Sequence, residues 1–72
     1  MATNNTLQIR VNGEQRAVAE GRTISEMLGE MGLNPRKVAV ERNREIVPRS
    51  TLGQVRVEDG DAFEIVHFVG GG

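Results

Sequence analysis

Residues 23–32, TISEMLGEMG, contain the clearest helix signals in the sequence. Thr23 and Glu26 have the spacing of a capping box, in which each side chain accepts a hydrogen bond from the other residue's backbone N–H. The apolar residues recur at helical spacing and form a single stripe: Ile24, Met27, Leu28 and Met31. Gly32 and Pro35 then end the helix after about two turns. Because a helix this short is not stable alone in water, we expect it to pack on a sheet.

The segment before the helix has the pattern of a β-hairpin. Residues 7–12 alternate between apolar and polar side chains, which predicts a half-buried strand. Asn12-Gly13 is a strong signal for a two-residue hairpin turn. A second strand is therefore expected over residues 14–19.

Three more strands are predicted after the helix. Residues 37–41 alternate like a strand, and a short strand at residues 46–47 is stopped by Pro48, which fits a sheet edge. An irregular or 3₁₀ connection over residues 50–54 leads towards the last strand, residues 62–69. Two hairpins around one helix give an α+β roll.

Length and composition limit the classes of function. Seventy-two residues make one domain, 1–72, without room for both a core and a deep catalytic cleft, so we expect no enzyme. Residues 1–6 are short and polar and are expected to be disordered. Nine basic against ten acidic residues give no electrostatic case for nucleic acid or an anionic membrane. With no apolar signal or spanning segment, we expect a cytoplasmic protein.

The last predicted strand is apolar on both faces. Val66 and Phe68 lie on the face opposite to the one expected in the core. One short helix covers only one face of a small sheet, so these two residues, with Gly70 after them, are candidate residues for docking to a partner. The alternative is that residues 48–54 fold over Val66 and Phe68, and the sequence does not decide between the two.

Gly70-Gly71-Gly72 directly follow the last strand. In an arbitrary protein this would be a frayed tail, but glycine has no Cβ and can thread a narrow slot. Three extended residues reach about 10 Å. A terminal carboxylate that enters a partner's nucleotide site can attack the α-phosphate of ATP. A sulfur nucleophile can then displace AMP and leave a thiocarboxylate. The carboxylate of Gly72 is therefore the candidate reactive group.

Five stretches carry a resemblance to a known family. They are Val11-Asn12-Gly13, Thr23–Leu28, Val38–Asn43 with Ile46-Val47-Pro48-Arg49, Asp59-Gly60-Asp61, and Gly71-Gly72. The chain resembles the thiamine-biosynthesis sulfur carriers (the ThiS family) from Leu7 to Gly72. The Asn-x-x-Ile-Val-Pro-Arg stretch, followed by Asp-Gly-Asp and Gly-Gly, is the most specific part. A Gly-Gly ending alone indicates only the wider ubiquitin-like superfamily.

The resemblance implies both a fold and a set of partners. The fold is a ubiquitin-like β-grasp, a mixed sheet of four to five strands on one short helix, with the first and last strands parallel at its centre. An E1-like adenylyltransferase would adenylate Gly72, with Gly71 as its neighbour in the tail. A sulfur donor such as a cysteine desulfurase would supply sulfur, and thiazole synthase would receive it. ATP and Mg²⁺ belong to the partner enzyme, so no cofactor or metal is expected on this chain. Gly70 and the six-residue N-terminal extension depart from the shortest family pattern.

Three other functions remain open at this point. The small subunit of molybdopterin synthase uses the same fold and a terminal thiocarboxylate. A ubiquitin-like modifier would form an isopeptide bond through Gly72, and a bare interaction domain would leave it unchanged.

The one histidine, His67, is interpreted as a partly exposed strand residue rather than a base or ligand. The carboxylates of Glu58, Asp59 and Asp61 are interpreted as belonging to a turn rather than to a metal site.

Overall fold

We describe the protein from a computed structural model, in which residues 5–68 are described. Over this range the chain forms five strands and one α-helix. Their bounds are β1 Thr6–Val11, β2 Glu14–Ala19, α1 Ile24–Glu30, β3 Val38–Arg42, β4 Glu45–Val47 and β5 Ala62–His67. Two short 3₁₀ helices, Pro35–Lys37 and Arg49–Thr51, lie in the connections.

The strands form one mixed sheet in the order β2-β1-β5-β3-β4. Strand β5 lies in the middle, parallel to β1 and antiparallel to β3, and the two hairpins β1–β2 and β3–β4 lie on either side of it. The expected arrangement is thus confirmed, with the first and last strands parallel at the centre and the short, proline-terminated β4 at an edge.

The start of the helix confirms the capping box. The backbone N–H of Glu26 donates to Thr23 Oγ1 at 3.1 Å, and the N–H of Thr23 donates to Glu26 Oε1 at 2.9 Å. The bond from the Thr23 N–H lowers the pKa of Glu26 below its ordinary value. The hydrogen bond to the ionised Glu26 side chain therefore stabilises the fold at neutral pH. This stabilisation is lost as the pH falls through the pKa of Glu26 in the folded state.

The end of the helix is equally well defined. Gly32 has a φ of +79°, and its N–H donates to the carbonyl of Gly29 at 3.0 Å. The N–H of Leu33 reaches back to the carbonyl of Leu28 at 2.8 Å. These two bonds are those of a Schellman motif, which ends a helix at a residue in the left-handed region.

The predicted apolar stripe faces the sheet. Ile24, Met27 and Leu28 are each no more than 1% exposed, and Met31 is partly buried against them. The other buried apolar residues come from the sheet and the loop after β4, and are Ile9, Val11, Val18, Val38, Val40, Leu52, Val57, Phe63 and Ile65. The α-helix therefore covers one face of the sheet. This packing was expected, because a helix of about two turns is not stable alone in water.

The ends of several elements differ from the sequence expectation, and two of these differences have a clear local cause. Strand β1 begins at Thr6, inside the segment expected to be disordered, because the carbonyl of Asn5 accepts a hydrogen bond from Glu20 N at 2.9 Å and extends the hairpin. Lys37 belongs to a 3₁₀ helix rather than to β3, because the Asn34 side chain caps that helix by accepting a bond from Arg36 N at 2.9 Å.

The two faces of β5 separate as predicted. Phe63 and Ile65 are buried, whereas Val66 is 61% and Phe68 is 54% exposed. The alternative in which residues 48–54 cover both side chains is therefore wrong. That loop reaches only Phe68, where the Arg49 guanidinium carbon lies 5.4 Å from the ring centroid. The outer face of the sheet is open at Val66.

Removing the helix cap should destabilise the domain measurably. Thr23→Ala leaves the Glu26 N–H without its side-chain acceptor, and we expect a loss of about 1 kcal/mol in the free energy of unfolding. Thr23→Ser keeps the hydroxyl and is the matched control. Urea denaturation followed by circular dichroism measures both, and equal losses in the two variants would contradict the assigned role of the hydroxyl.

The difference between the two sheet faces gives a second test. Val40→Thr places a hydroxyl in the core, where Val40 is 2% exposed, and should cost about 1–3 kcal/mol. Val66→Thr makes the same chemical change on the open face and should alter stability by less than about 0.5 kcal/mol. Urea midpoints of the two variants are compared, and a large loss for Val66→Thr would show that this side chain is covered in solution.

Candidate functional site

The candidate site begins where β5 ends. The described strand runs beside β3 up to the pair Val38 and His67, and the Phe68 N–H still donates to the carbonyl of Lys37 at 3.0 Å. The glycines assigned the reactive and tail roles, Gly70, Gly71 and Gly72, lie outside the described residues. The structure therefore describes the strand that leads to them and the surface around its end.

A turn asparagine holds β5 on the side of β1. Asn12 has a φ of +51° in the two-residue turn after β1. Its side-chain carboxamide accepts from Ile65 N at 2.8 Å and donates to the Ile65 carbonyl at 3.2 Å. A carboxamide offers the same donor and acceptor as a peptide group, so Asn12 continues the ladder beyond the last backbone residue of β1. The sequence indicated only the hairpin turn at this position.

A second turn asparagine holds the other end of β5. Asn43, with a φ of +52°, lies in the turn between β3 and β4. Its side chain accepts from Ala62 N at 3.0 Å and donates to Asp61 Oδ1 at 3.0 Å. Asp61 is only 4% exposed, and its other oxygen accepts from Glu58 N at 2.9 Å. The carboxylate predicted to lie in a turn is therefore a buried structural group.

An exposed apolar patch lies beside the end of β5, on the outer face of the sheet. It consists of Ile46, Val66 and Phe68, and the most exposed of them is Ile46, at 69%. Ala39, paired with Val66, lies between β4 and β5 and connects the patch. Val66 and Phe68 were predicted from the sequence as docking residues, whereas Ile46 was not, although its alternation with the half-buried Val47 was the signal for it.

A shallow groove runs beside the patch. Phe68 and Pro48 contribute to its walls, and the uncovered edge of β3 at Val38 lies in it, because β4 pairs with β3 only from Val40 onward. Its volume is about 170 Å³. Small-molecule sites usually measure about 300–1,000 Å³, so this groove is suited to a side chain of a partner rather than to a nucleotide.

Two carboxylates border the patch. Glu41 on β3 and Glu64 on β5 are directly paired on the outer face, next to Val66. Like charges directly opposite each other in a sheet are unfavourable. A partner that places an arginine or lysine between them would relieve this repulsion, so the border favours a basic partner surface.

His67 and Arg42 have exposed and structural positions, respectively. His67 is exposed at the end of β5, as predicted. Arg42 lies 3.7 Å from Asp61 Oδ2 and donates to the carbonyl of Arg56. No group of three or more His, Asp or Glu side chains among residues 5–68 is arranged to hold a metal ion. Within the same residues, no helix has the length and apolar character of a membrane span.

Comparisons with known proteins agree on one family. A thiazole synthase of Paramagnetospirillum magneticum is 53% identical over 66 residues, and the sulfur carrier protein ThiS of Bacillus subtilis is 46% identical over 50 residues. These alignments cover 92% and 69% of this chain, and 20% and 76% of the relatives. The chain thus spans a fifth of the length of the thiazole synthase, and the same holds for a second one, from Magnetococcus marinus.

Comparison with solved structures identifies the fold. A crystal structure of a thiamine biosynthesis protein, ThiS, from Geobacter metallireducens superposes with a TM-score of 0.78 at 35% sequence identity. The match covers 92% of this chain and all of that one. The model of the ThiS family matches residues 9–72, nearly the whole sequence. The chain is a ubiquitin-like β-grasp protein and belongs to the ThiS family.

Proposed function

We propose that this chain is a sulfur carrier for thiazole formation in thiamine biosynthesis, with the carboxylate of Gly72 as its working group. An E1-like adenylyltransferase binds ATP and Mg²⁺. A carboxylate oxygen of Gly72 attacks the α-phosphate, and pyrophosphate leaves. A sulfur nucleophile, derived from a donor such as a cysteine desulfurase, then attacks the acyl carbon and displaces AMP. The resulting thiocarboxylate gives its sulfur to thiazole synthase.

Membership of the ThiS family over residues 9–72 is the observation that carries this proposal. The fold is consistent with it, because the strand that leads to the glycines is the central one of the sheet. A carrier has to present its reactive end to other enzymes, and a strand paired on both sides gives that end a defined starting point.

Thiazole synthase is supported as the sulfur acceptor by two relatives. Both relatives that bear this name contain a region similar to this chain, which accounts for a fifth of their length. In those proteins a carrier-like region and a longer segment occur on one polypeptide. We infer that the partners of this chain are its adenylating enzyme and a thiazole synthase, which bind the same surface in turn.

The exposed apolar patch is the proposed docking surface for these partners. Ile46, Val66 and Phe68 lie beside the end of β5, so an enzyme that receives the tail meets them first. The neighbouring pair Glu41 and Glu64 favours a basic surface on the partner. Gly70, also proposed for docking, lies outside the described residues.

Intact-protein mass spectrometry tests the chemistry directly. The chain is incubated with its adenylyltransferase, Mg²⁺ and ATP, and we expect the added mass of one adenylyl group. Addition of hydrosulfide should then replace one oxygen of the original protein by one sulfur, because the sulfur anion displaces AMP from the acyl carbon. Fragmentation should locate both changes at Gly72.

A tail variant serves as the control. One alanine added after Gly72 should abolish both mass changes and leave the circular dichroism spectrum unchanged. Modification elsewhere in the chain would refute the proposal. So would the absence of modification at Gly72 when the adenylyltransferase is active. Linkage of Gly72 to lysine side chains of other proteins would instead identify a protein modifier.

Charge placed in the apolar patch should weaken docking without affecting the fold. Val66→Lys introduces an ammonium group beside Glu64 on the contact surface, where it opposes a basic partner, and we expect the KM for the carrier in the adenylation assay to rise about tenfold or more. Ala17→Lys is the matched control, because Ala17 is exposed on the edge strand β2, at the far side of the same sheet.

Pyrophosphate release at varied carrier concentration measures both variants. An unchanged KM for Val66→Lys, or an equal rise for Ala17→Lys, would show that the patch is not the docking surface. The thermal unfolding midpoint of each variant, recorded by circular dichroism, separates loss of binding from loss of folded protein.

A further inference from the structure

We infer that Asn12 is a positioning residue for the reactive tail, acting through the backbone of Ile65; this inference rests on the proposed function. The Asn12 carboxamide makes two hydrogen bonds to Ile65, at 2.8 and 3.2 Å, beyond the last backbone pair of β1 with β5. Asn12 thereby determines which residue of β5 is the last to be hydrogen-bonded on both sides.

The pairing pattern shows what Asn12 adds. On the side of β1, the backbone pairs only Arg10 with Ala62 and Val11 with Phe63. The last backbone bond on that side runs from Asn12 N to the carbonyl of Phe63, at 2.8 Å. Without the carboxamide, two-sided pairing would end at Phe63. With it, two-sided pairing reaches Ile65, two residues and about 7 Å closer to the tail.

The position of His67 shows that nothing on β1 replaces this contact farther along. The Phe68 N–H donates to the carbonyl of Lys37, the residue before β3, so by alternation His67 points its N–H and C=O towards the side of β1. Strand β1 has already turned back at Asn12 by that point. From His67 onward, the backbone of the described chain pairs only on the side of β3, with Val38 and Lys37, so Ile65 is the last residue of β5 that is held on both sides.

The consequence concerns binding rather than chemistry. A tail that leaves the sheet from a fixed point loses less freedom when it enters a partner's channel than one that leaves from a looser strand. Asn12 should therefore lower the KM for the carrier in adenylation, with little effect on kcat. The contribution acts through the strand, without contact between Asn12 and ATP or the acyl group.

The chain provides a matched control in Asn43. This residue has nearly the same φ, sits in the same kind of two-residue turn and also makes two side-chain hydrogen bonds at β5. Its partners, however, are Asp61 and Ala62, at the end of the strand remote from the tail. Glycine tolerates positive φ, so Asn12→Gly and Asn43→Gly each remove a clamp and keep the turn.

Two measurements on these variants test the inference. In the adenylation assay, Asn12→Gly should raise the KM about threefold to tenfold, with kcat within about twofold, while Asn43→Gly leaves the KM unchanged. Native hydrogen exchange gives the ratio of the protection factors of the Val66 and Phe68 amides to that of Leu28, a buried helix residue. In Asn12→Gly this ratio should fall about threefold to tenfold. Asn43→Gly should leave that ratio as it is in the wild type. Asn12→Asp keeps an acceptor for Ile65 N but loses the donor, and should fall between.

The outcomes separate this inference from the proposed function. Equal KM shifts in the two glycine variants, or an unchanged exchange ratio in Asn12→Gly, would overturn the positioning role. If the wild-type chain is not adenylated at all, the proposed function fails. The exchange ratio, which needs no partner enzyme, then decides by itself whether Asn12 orders the end of β5.

Discussion

Strand β5 pairs with β1 on one side and with β3 on the other, and this two-sided pairing joins the two hairpins into one domain. The hairpins form from local sequence, but neither is stable alone in water. Insertion of β5 between them places Phe63 and Ile65 under the helix, where they meet the apolar stripe that begins at Ile24. The helix, in turn, is too short to persist without that surface.

The pairing of β5 is completed by side chains where the backbone falls short. Strand β1 supplies only two backbone pairs, and the carboxamide of Asn12 extends them. At the other end Asn43 and the buried Asp61 satisfy one another and the adjacent backbone. Among the described residues, no buried side-chain nitrogen or oxygen lacks a hydrogen-bond partner. A small domain can retain a buried carboxylate on this condition, because an unpaired one would cost more than its modest core can offset.

The same arrangement gives the domain two different faces. The inner face is used for stability, since the helix covers it. Among residues 5–68 no helix covers the outer face, which at the end of β5 exposes Ile46, Val66 and Phe68 beside the paired Glu41 and Glu64. A surface of this kind adds little to the stability of the free chain and is available for association. The patch lies beside the end of β5, the strand that precedes the three glycines in the sequence.

Most secondary structure followed from sequence, because its determinants are local. The Thr23–Glu26 capping box, the Gly32 stop and the Asn12-Gly13 turn act within a few residues, so the helix and the first hairpin were predicted nearly to the residue. Alternation along β5 also separated its two faces correctly. The β-grasp topology came from resemblance, since periodicity does not specify which strands become neighbours.

The sequence by itself determined the helix, the hairpins, the two faces of the last strand and the family. Only the tertiary structure decided that Val66 and Phe68 stay exposed, that Ile46 joins them, and that Asn12 meets Ile65, 53 positions away. The physical reason is the range of the interactions involved. Caps, turns and periodicity act over a few residues, whereas exposure and the pairing of a side-chain amide with a distant backbone depend on how the whole chain is folded.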